Sequence, residues 1–265
     1  MKAWMWVFTW IVSSASLASP ETGLYPGGLA IVPLPEGTQE ATFRGKPVWI
    51  ENSQARIGIP LDEAPGPSGI KTDRGQWVGF TIAGRDYPEQ HIRIKNTQQV
   101  SPNNDNLARI RAEASEQSAW YRRFSPWQPE FPFVYPVKGR VSGEFGRRRV
   151  FNGQPRRPHS GIDIAAPSGT PVVAPSGGQV IGIGDYFFNG KTVFIDHGQG
   201  LITMFCHLSS VDVAVGDWVN PGQDVAKVGS TGRSTGPHLH WTLSLNDARI
   251  EPHLLLPELS KLPRK

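Results

Sequence analysis

The chain has 265 residues, 38% hydrophobic and 19% charged, enough to bury a core in one or two domains. Its net charge of +4 is too small to demand a nucleic-acid partner. With 29 Gly and 24 Pro, it favours short strands and frequent turns over long helices.

The N-terminus reads as an export signal. Lys2 precedes an apolar run over residues 3–12 and then small residues. Ser16 and Ala18 fit small-x-small cleavage, so residues 1–18 are expected to be a signal peptide cut after Ala18. The run is short for a membrane span, and an uncleaved signal anchor is the alternative. The cleavage region holds no cysteine, which disfavours a lipoprotein. Cys206 is the chain's only cysteine, so no intramolecular disulfide can form. Its surroundings, "LITMFCHLSSV", make it a small buried strand residue.

Residues 19–100 alternate short apolar runs such as "LAIVPLP", "KPVWIE", "WVGFTIAG" and "HIRIK" with turn clusters. That pattern predicts a small β-sandwich, with His91 an outward-facing strand residue. Residues 101–133 follow as a helix and a linker. Leu107, Ile110, Ala114, Gln117, Tyr121 and Phe124 recur at spacings of three and four behind cap-capable Asn103 and Asn104. Four prolines in "SPWQPEFPFVYP" then favour extended chain, and the domain boundary is expected there.

The chemistry concentrates in residues 134–258, ahead of a tail at 259–265. In "TGPHLHW" two of the seven histidines stand one residue apart. Leu239, Trp241, Leu243 and Leu245 alternate with His238, His240, Thr242 and Ser244, which reads as a half-buried strand with both histidines on its polar face. Such a pair suits a metal site or a surface strand alike. In "RPHSGIDIAAP", extended backbone puts His159 and Asp163 on one face. With one histidine of "HLH" they make a three-ligand set with room for water, as catalytic zinc requires. A zinc hydrolase also needs a proton acceptor and an oxyanion stabiliser. No HExxH helix supplies a glutamate base, so His207 and the other "HLH" histidine are the candidates. A backbone-satisfied core histidine is the bland alternative for His207.

Arg147, Arg148, Arg149, Arg156 and Arg157 form a basic strip with Glu144 as nearby counter-charge. It could bind carboxylates or be a solvated loop. His197, in "FIDHGQG", lies in a turn from which it could approach a substrate, and His253 has no partner pattern. Gly229, Gly232 and Gly236 shape the loop before "HLH", without the ending of a phosphate-binding loop.

In order, "HSGID", "GTPVVAPSGGQV", "CHLS" and "GSTGRSTGPHLHW" resemble lysostaphin-type (LytM-domain) zinc endopeptidases, which cut peptide cross-links in bacterial peptidoglycan. The resemblance covers roughly residues 134–258, and the upstream β-rich region looks like the N-terminal domain of some Gram-negative members. It implies an all-β fold, with a sandwich, a connecting helix and an antiparallel peptidase sheet. It further implies one Zn2+ held by His159, Asp163 and His240, with His207 and His238 as catalytic histidines. Where the family commonly has Tyr two residues before the His207 position, this chain has Phe205, which keeps the ring for packing. The expected partners are peptidoglycan stem peptides and cross-links, with no nucleic acid and no stable membrane span after signal cleavage. The expected compartment is the periplasm, with a signal anchor or secretion as alternatives. The competing functions are a non-enzymatic LytM-domain activator of a cell-wall amidase and a β-module whose zinc only stabilises the fold.

Overall fold

The computed structural model describes residues 23–256. The expected signal peptide at 1–18 and tail at 259–265 lie outside them. The first elements are two small antiparallel sheets. Strand Gln54–Gly58 runs between Leu29–Pro33 and Trp49–Glu51, and the second sheet orders Lys46–Pro47, Ala41–Phe43, Gly66–Thr72 and Trp77–Ile82. Their inward residues, including Val32, Phe43, Ile57, Ile70 and Ile82, share one core cluster. Asn52 and Ser53 take φ of 50° and 56°, as a two-residue hairpin joining right-twisted strands requires.

The run "HIRIK" does not join this unit. Strand Glu89–Ile92 pairs in parallel with Arg148–Phe151 of the later domain, so backbone hydrogen bonds cross the expected division at residue 100. His91 is exposed there, 2.7 Å from Glu89. A single α-helix among the described residues, Asn104–Tyr121, starts at Asn103, whose side chain accepts from the Asn106 N–H at 3.0 Å. The proline-rich stretch after it is tied down rather than free. Trp49 Nε1 donates to Gln128 Oε1 at 2.9 Å, Trp49 stacks on Phe131, and Ser176 Oγ donates to the Glu130 carbonyl.

The largest sheet has eight strands. Its order is Trp218–Val219, Gly178–Tyr186, Gly190–Asp196, Leu201–Leu208, His238–Leu245, Ile162–Ala165 and Arg140–Gly143, with Ala248–Ile250 also paired to the His238–Leu245 strand. All pairings in it are antiparallel. One face carries the main core, with Ile164, Val193, Phe205, Leu239, Trp241 and Leu243. On the other, Tyr121 at the helix end packs with Ile181, Phe194, Ile202, Met204 and Cys206. That second layer changes the expected half-buried character of the "HLH" strand. Thr242 and Ser244 have no exposed surface, because the polar side of the strand is covered too. Their hydroxyls are satisfied locally, Thr242 by His240 and Ser244 by Arg249. No helix among the described residues is long and apolar enough to cross a membrane.

Candidate metal centre and its surroundings

Asp163 and His240 are direct partners in the ladder between their strands, and Ala165 opposes His238. Opposed residues project to the same side of a sheet, so the pairing itself brings the carboxylate beside the imidazole. His240 Nδ1 lies 2.8 Å from Asp163 Oδ1, and His159 Nε2 lies 3.0 Å from the same oxygen. His159 arrives from the loop before the Asp163 strand, where its backbone bonds to Gly146 and Arg147. The three ligand-type atoms all lie within 4.8 Å of one another, the one such cluster among the described residues.

Each imidazole is oriented from behind. His159 Nδ1 donates to the Glu144 carbonyl at 2.8 Å, leaving Nε2 at the centre. Thr242 Oγ1 can accept the proton of His240 Nε2 at 2.9 Å, leaving Nδ1 facing Asp163. Two imidazole nitrogens and a carboxylate oxygen aimed at one point, with their outward nitrogens anchored, fit a zinc-type ion on three protein ligands. Burial keeps the imidazoles neutral, pulling His240 down to about 4 and His159 below its ordinary value. Burial opposes the charge on Asp163, yet its interactions with the facing His159 and His240 hold its carboxyl well below the usual range. Neutral imidazoles and an ionised carboxylate are the protonation states that ligation needs.

His207 reaches the same region through a backbone irregularity. On the Leu201–Leu208 strand, Phe205 opposes Val193 but Leu208 opposes Lys191, so one extra residue is accommodated between them. His207 takes φ of 61° at this bulge. A left-handed non-glycine residue costs on the order of 1–3 kcal/mol, and here it re-aims the side chain. The His207 ring centroid comes to 4.8 Å from that of His238 and 6.1 Å from that of His240. His207 Nδ1 donates to the Thr231 carbonyl and His238 Nδ1 to the Gly236 carbonyl, each at 2.8 Å. Both Nε2 atoms are thereby left as the basic nitrogens. His238 Nε2 lies 3.8 Å from Asp163 Oδ1. Burial, with the charges of His238 and His240, pushes His207 down to about 3. The loop before "HLH" therefore does more than deliver the strand, since its carbonyls set the orientation of both histidines.

The other histidines stay apart. His197 is wholly buried, bonded through Nδ1 to the Gly177 carbonyl and through Nε2 to Thr203 Oγ1, each at 2.8 Å. It is a core residue and its position excludes the approach to a substrate that the turn suggested. His253 lies 3.0 Å from Glu251. Phe205 is fully buried with its ring near Trp241, a packing role. The basic strip divides. Arg147 pairs with Glu144 at 2.6 Å, Arg148 and Arg157 are exposed, and Arg149 donates to Asp163 Oδ2 at 2.9 Å. Glu144 is thus not the strip's only counter-charge. Burial and the charges of Arg149 and Arg156 pull Arg233 down to about 10.

Two contributors escaped the sequence reading. Arg149 was visible only as one arginine in a run. Gly143 opposes Asp163 across the neighbouring ladder, and a Cβ there would stand 2.3 Å from Asp163 Oδ2. Nothing local marks either residue, because both act across strand pairings.

The profile of Peptidase family M23 matches residues 157–252. A Pseudomonas aeruginosa crystal structure assigned to peptidase M23 is 43% identical and superimposes with a TM-score of 0.75, covering 89% of this chain and 96% of that one. The chain belongs to peptidase family M23. Its N-terminal unit is included in that match. Among curated M23 relatives, the peptidoglycan DD-endopeptidase ShyA of Vibrio cholerae is 38% identical over 135 residues, 49% of this chain and 31% of ShyA. The DD-carboxypeptidase/endopeptidase Mpg of Neisseria gonorrhoeae is 41% identical over 133 residues, 49% of this chain and 30% of Mpg. The chain thus matches about a third of the length of these curated relatives. M23 is a metallopeptidase family, and the His159, Asp163 and His240 cluster is the metal-competent group in this member.

Proposed function

We propose that this protein is a zinc-dependent peptidoglycan endopeptidase that hydrolyses DD-type peptide cross-links of the bacterial cell wall. The observation that carries the reading is the convergence of five side chains. His159, Asp163 and His240 offer ligand atoms to one point, and His207 and His238 stand beside it with their Nδ1 atoms tied back. The names of ShyA and Mpg support the substrate class. Work on such a substrate implies export, with residues 1–18 as the signal and the periplasm as the compartment. The N-terminal sandwich, connecting helix and peptidase sheet are then units of one exported enzyme.

His159, Asp163 and His240 would hold the ion, which when bound supplies Lewis-acid polarisation of the scissile carbonyl and acidification of the attacking water. One of His207 and His238 takes the proton of that water at its free Nε2. The other, beside it, helps stabilise the developing oxyanion. Burial keeps His207 neutral, and so able to accept a proton, at neutral pH. The proton then passes to the leaving amine. Arg157, exposed on the basic strip, supplies positive charge for the free carboxylates of stem peptides.

The test is digestion of purified cross-linked peptidoglycan with and without a chelator, with products separated by mass. Chelator-sensitive loss of dimeric muropeptides with new stem-peptide ends is expected. His207→Ala and His238→Ala should keep stoichiometric zinc and lose turnover, whereas Asp163→Ala should lose zinc. Intact cross-links despite stoichiometric zinc would sink the hydrolase reading. Collapse of the fold on zinc removal would instead favour a structural metal.

A further inference from the structure

We propose that Arg149 is a positioning residue for the metal centre. It pins one oxygen of Asp163 so that only the other is presented to the ion. This rests on the metal reading above.

A carboxylate can ligate through either oxygen or both, and an unrestrained Asp side chain can rotate between these modes. Asp163 is not unrestrained. Oδ1 faces the imidazoles, 3.0 Å from His159 Nε2 and 2.8 Å from His240 Nδ1. Oδ2 accepts from Arg149 Nη2 at 2.9 Å. The pair is mostly enclosed, with side-chain exposures of 18% for Arg149 and 16% for Asp163, so water competes little for the contact. No other arginine of the strip takes this place. Arg147 is engaged by Glu144, and Arg156 donates to the Val100 carbonyl at 2.6 Å. The result is a one-oxygen ligand that leaves coordination positions open for water and substrate, as a catalytic rather than a closed site needs.

Arg149 is itself held by the N-terminal half of the chain. Its strand, Arg148–Phe151, pairs in parallel with Glu89–Ile92, and Arg149 opposes Gln90. The Arg148 N–H donates to the Pro88 carbonyl and the Asn152 N–H to the Ile92 carbonyl, at 3.0 and 3.1 Å. Asn152 closes the pairing by bonding both backbone groups of Ile94 through its side chain. Among the described residues, Arg149 Nε and Gln90 Oε1 are buried without hydrogen-bond partners, a donor and an acceptor on opposed residues. The order of positioning therefore runs from the Glu89–Ile92 strand to Arg149, from Arg149 to Asp163 Oδ2, and from there to the ion.

A purely electrostatic role and a positioning role predict opposite signs. A guanidinium near a cation repels it, so removing charge alone would tighten metal binding. Losing a positioning partner of a ligand instead weakens binding, typically by roughly 10- to 100-fold. The experiment measures the Zn2+ dissociation constant of the full chain by competition with a chromophoric chelator, and the visible spectrum of the Co2+-loaded protein. Arg149→Ala should weaken Zn2+ binding by roughly 10- to 100-fold and lower the Co2+ band intensity as the freed carboxylate raises the coordination number. Arg149→Lys should recover part of the affinity. Arg148→Ala, an exposed neighbour, should bind as the unaltered chain does. If Arg149→Ala does not fold, Arg149→Met keeps the aliphatic stem and carries the same expectation. Equal or tighter Zn2+ binding with an unchanged Co2+ spectrum in a folded Arg149 variant overturns the proposal. An unaltered chain that binds neither ion overturns the metal reading itself.

Discussion

Replacing Gly143 by alanine would disturb the metal centre without touching any proposed ligand. The new Cβ would stand 2.3 Å from Asp163 Oδ2, 2.8 Å from its Cγ and 3.0 Å from its Cβ. Ordinary contact begins near 3.4 Å, so the carboxylate must retreat by about 1 Å. Oδ2 accepts from Arg149 at 2.9 Å, and a displacement of that size disturbs this bond. A hydrogen bond to a charged group is worth about 1.5–3 kcal/mol. If that loss falls on the ion, Zn2+ binding weakens roughly 10- to 100-fold, since about 1.4 kcal/mol is tenfold. Gly143 is not among the positive-φ glycines, so alanine introduces no left-handed backbone strain of its own. The assay is chelator competition for Zn2+, with thermal melting of the metal-stripped protein beside it. Gly79→Ala, where the nearest atoms lie 3.7 Å or more away, is the control. Unchanged Zn2+ affinity in a folded Gly143→Ala protein would refute the argument that the missing Cβ makes room for the carboxylate.

Burial lowers His197 from 6.5 to about 4, so the folded state refuses a proton that the unfolded chain accepts. Stability from this group is complete above about pH 6.5 and falls as pH drops toward 4, by up to about 3 kcal/mol at 1.36 kcal/mol per unit. Denaturant titration across that window should show the decline, and His197→Gln should flatten it; an equal slope in both proteins would count against the assignment. Burial also pushes the Cys206 thiol up, and the residue is 1% exposed. The native protein should therefore resist alkylation by iodoacetamide and react only once unfolded, as mass spectrometry would show; prompt native labelling would contradict the packing described.

Sequence alone settled a good deal. Period-two alternation identified the strands, and three- and four-residue spacing behind Asn103 identified the helix, because side-chain direction along one element follows from local geometry. The chemistry of the site was legible for the same reason. Histidine and aspartate at short spacings announce ligand capacity wherever they fold, and the "HSGID" and "GRSTGPHLHW" motifs pointed to the family that the comparisons then showed. What the sequence could not carry is whatever depends on which strands meet. The polar side of "HLH" reads as solvated until Tyr121 and its neighbours are seen to cover that face of the sheet. "HIRIK" reads as one more sandwich strand until it pairs with Arg148–Phe151. His197 and His207 both sit where strand runs end, yet one is sealed in the core while a bulge turns the other toward His238. Gly143 and Arg149 touch Asp163 only through ladder register and strand neighbours, 20 and 14 residues away along the chain. Register and layer packing are long-range choices made by the whole hydrophobic pattern at once, so only the tertiary structure decides them.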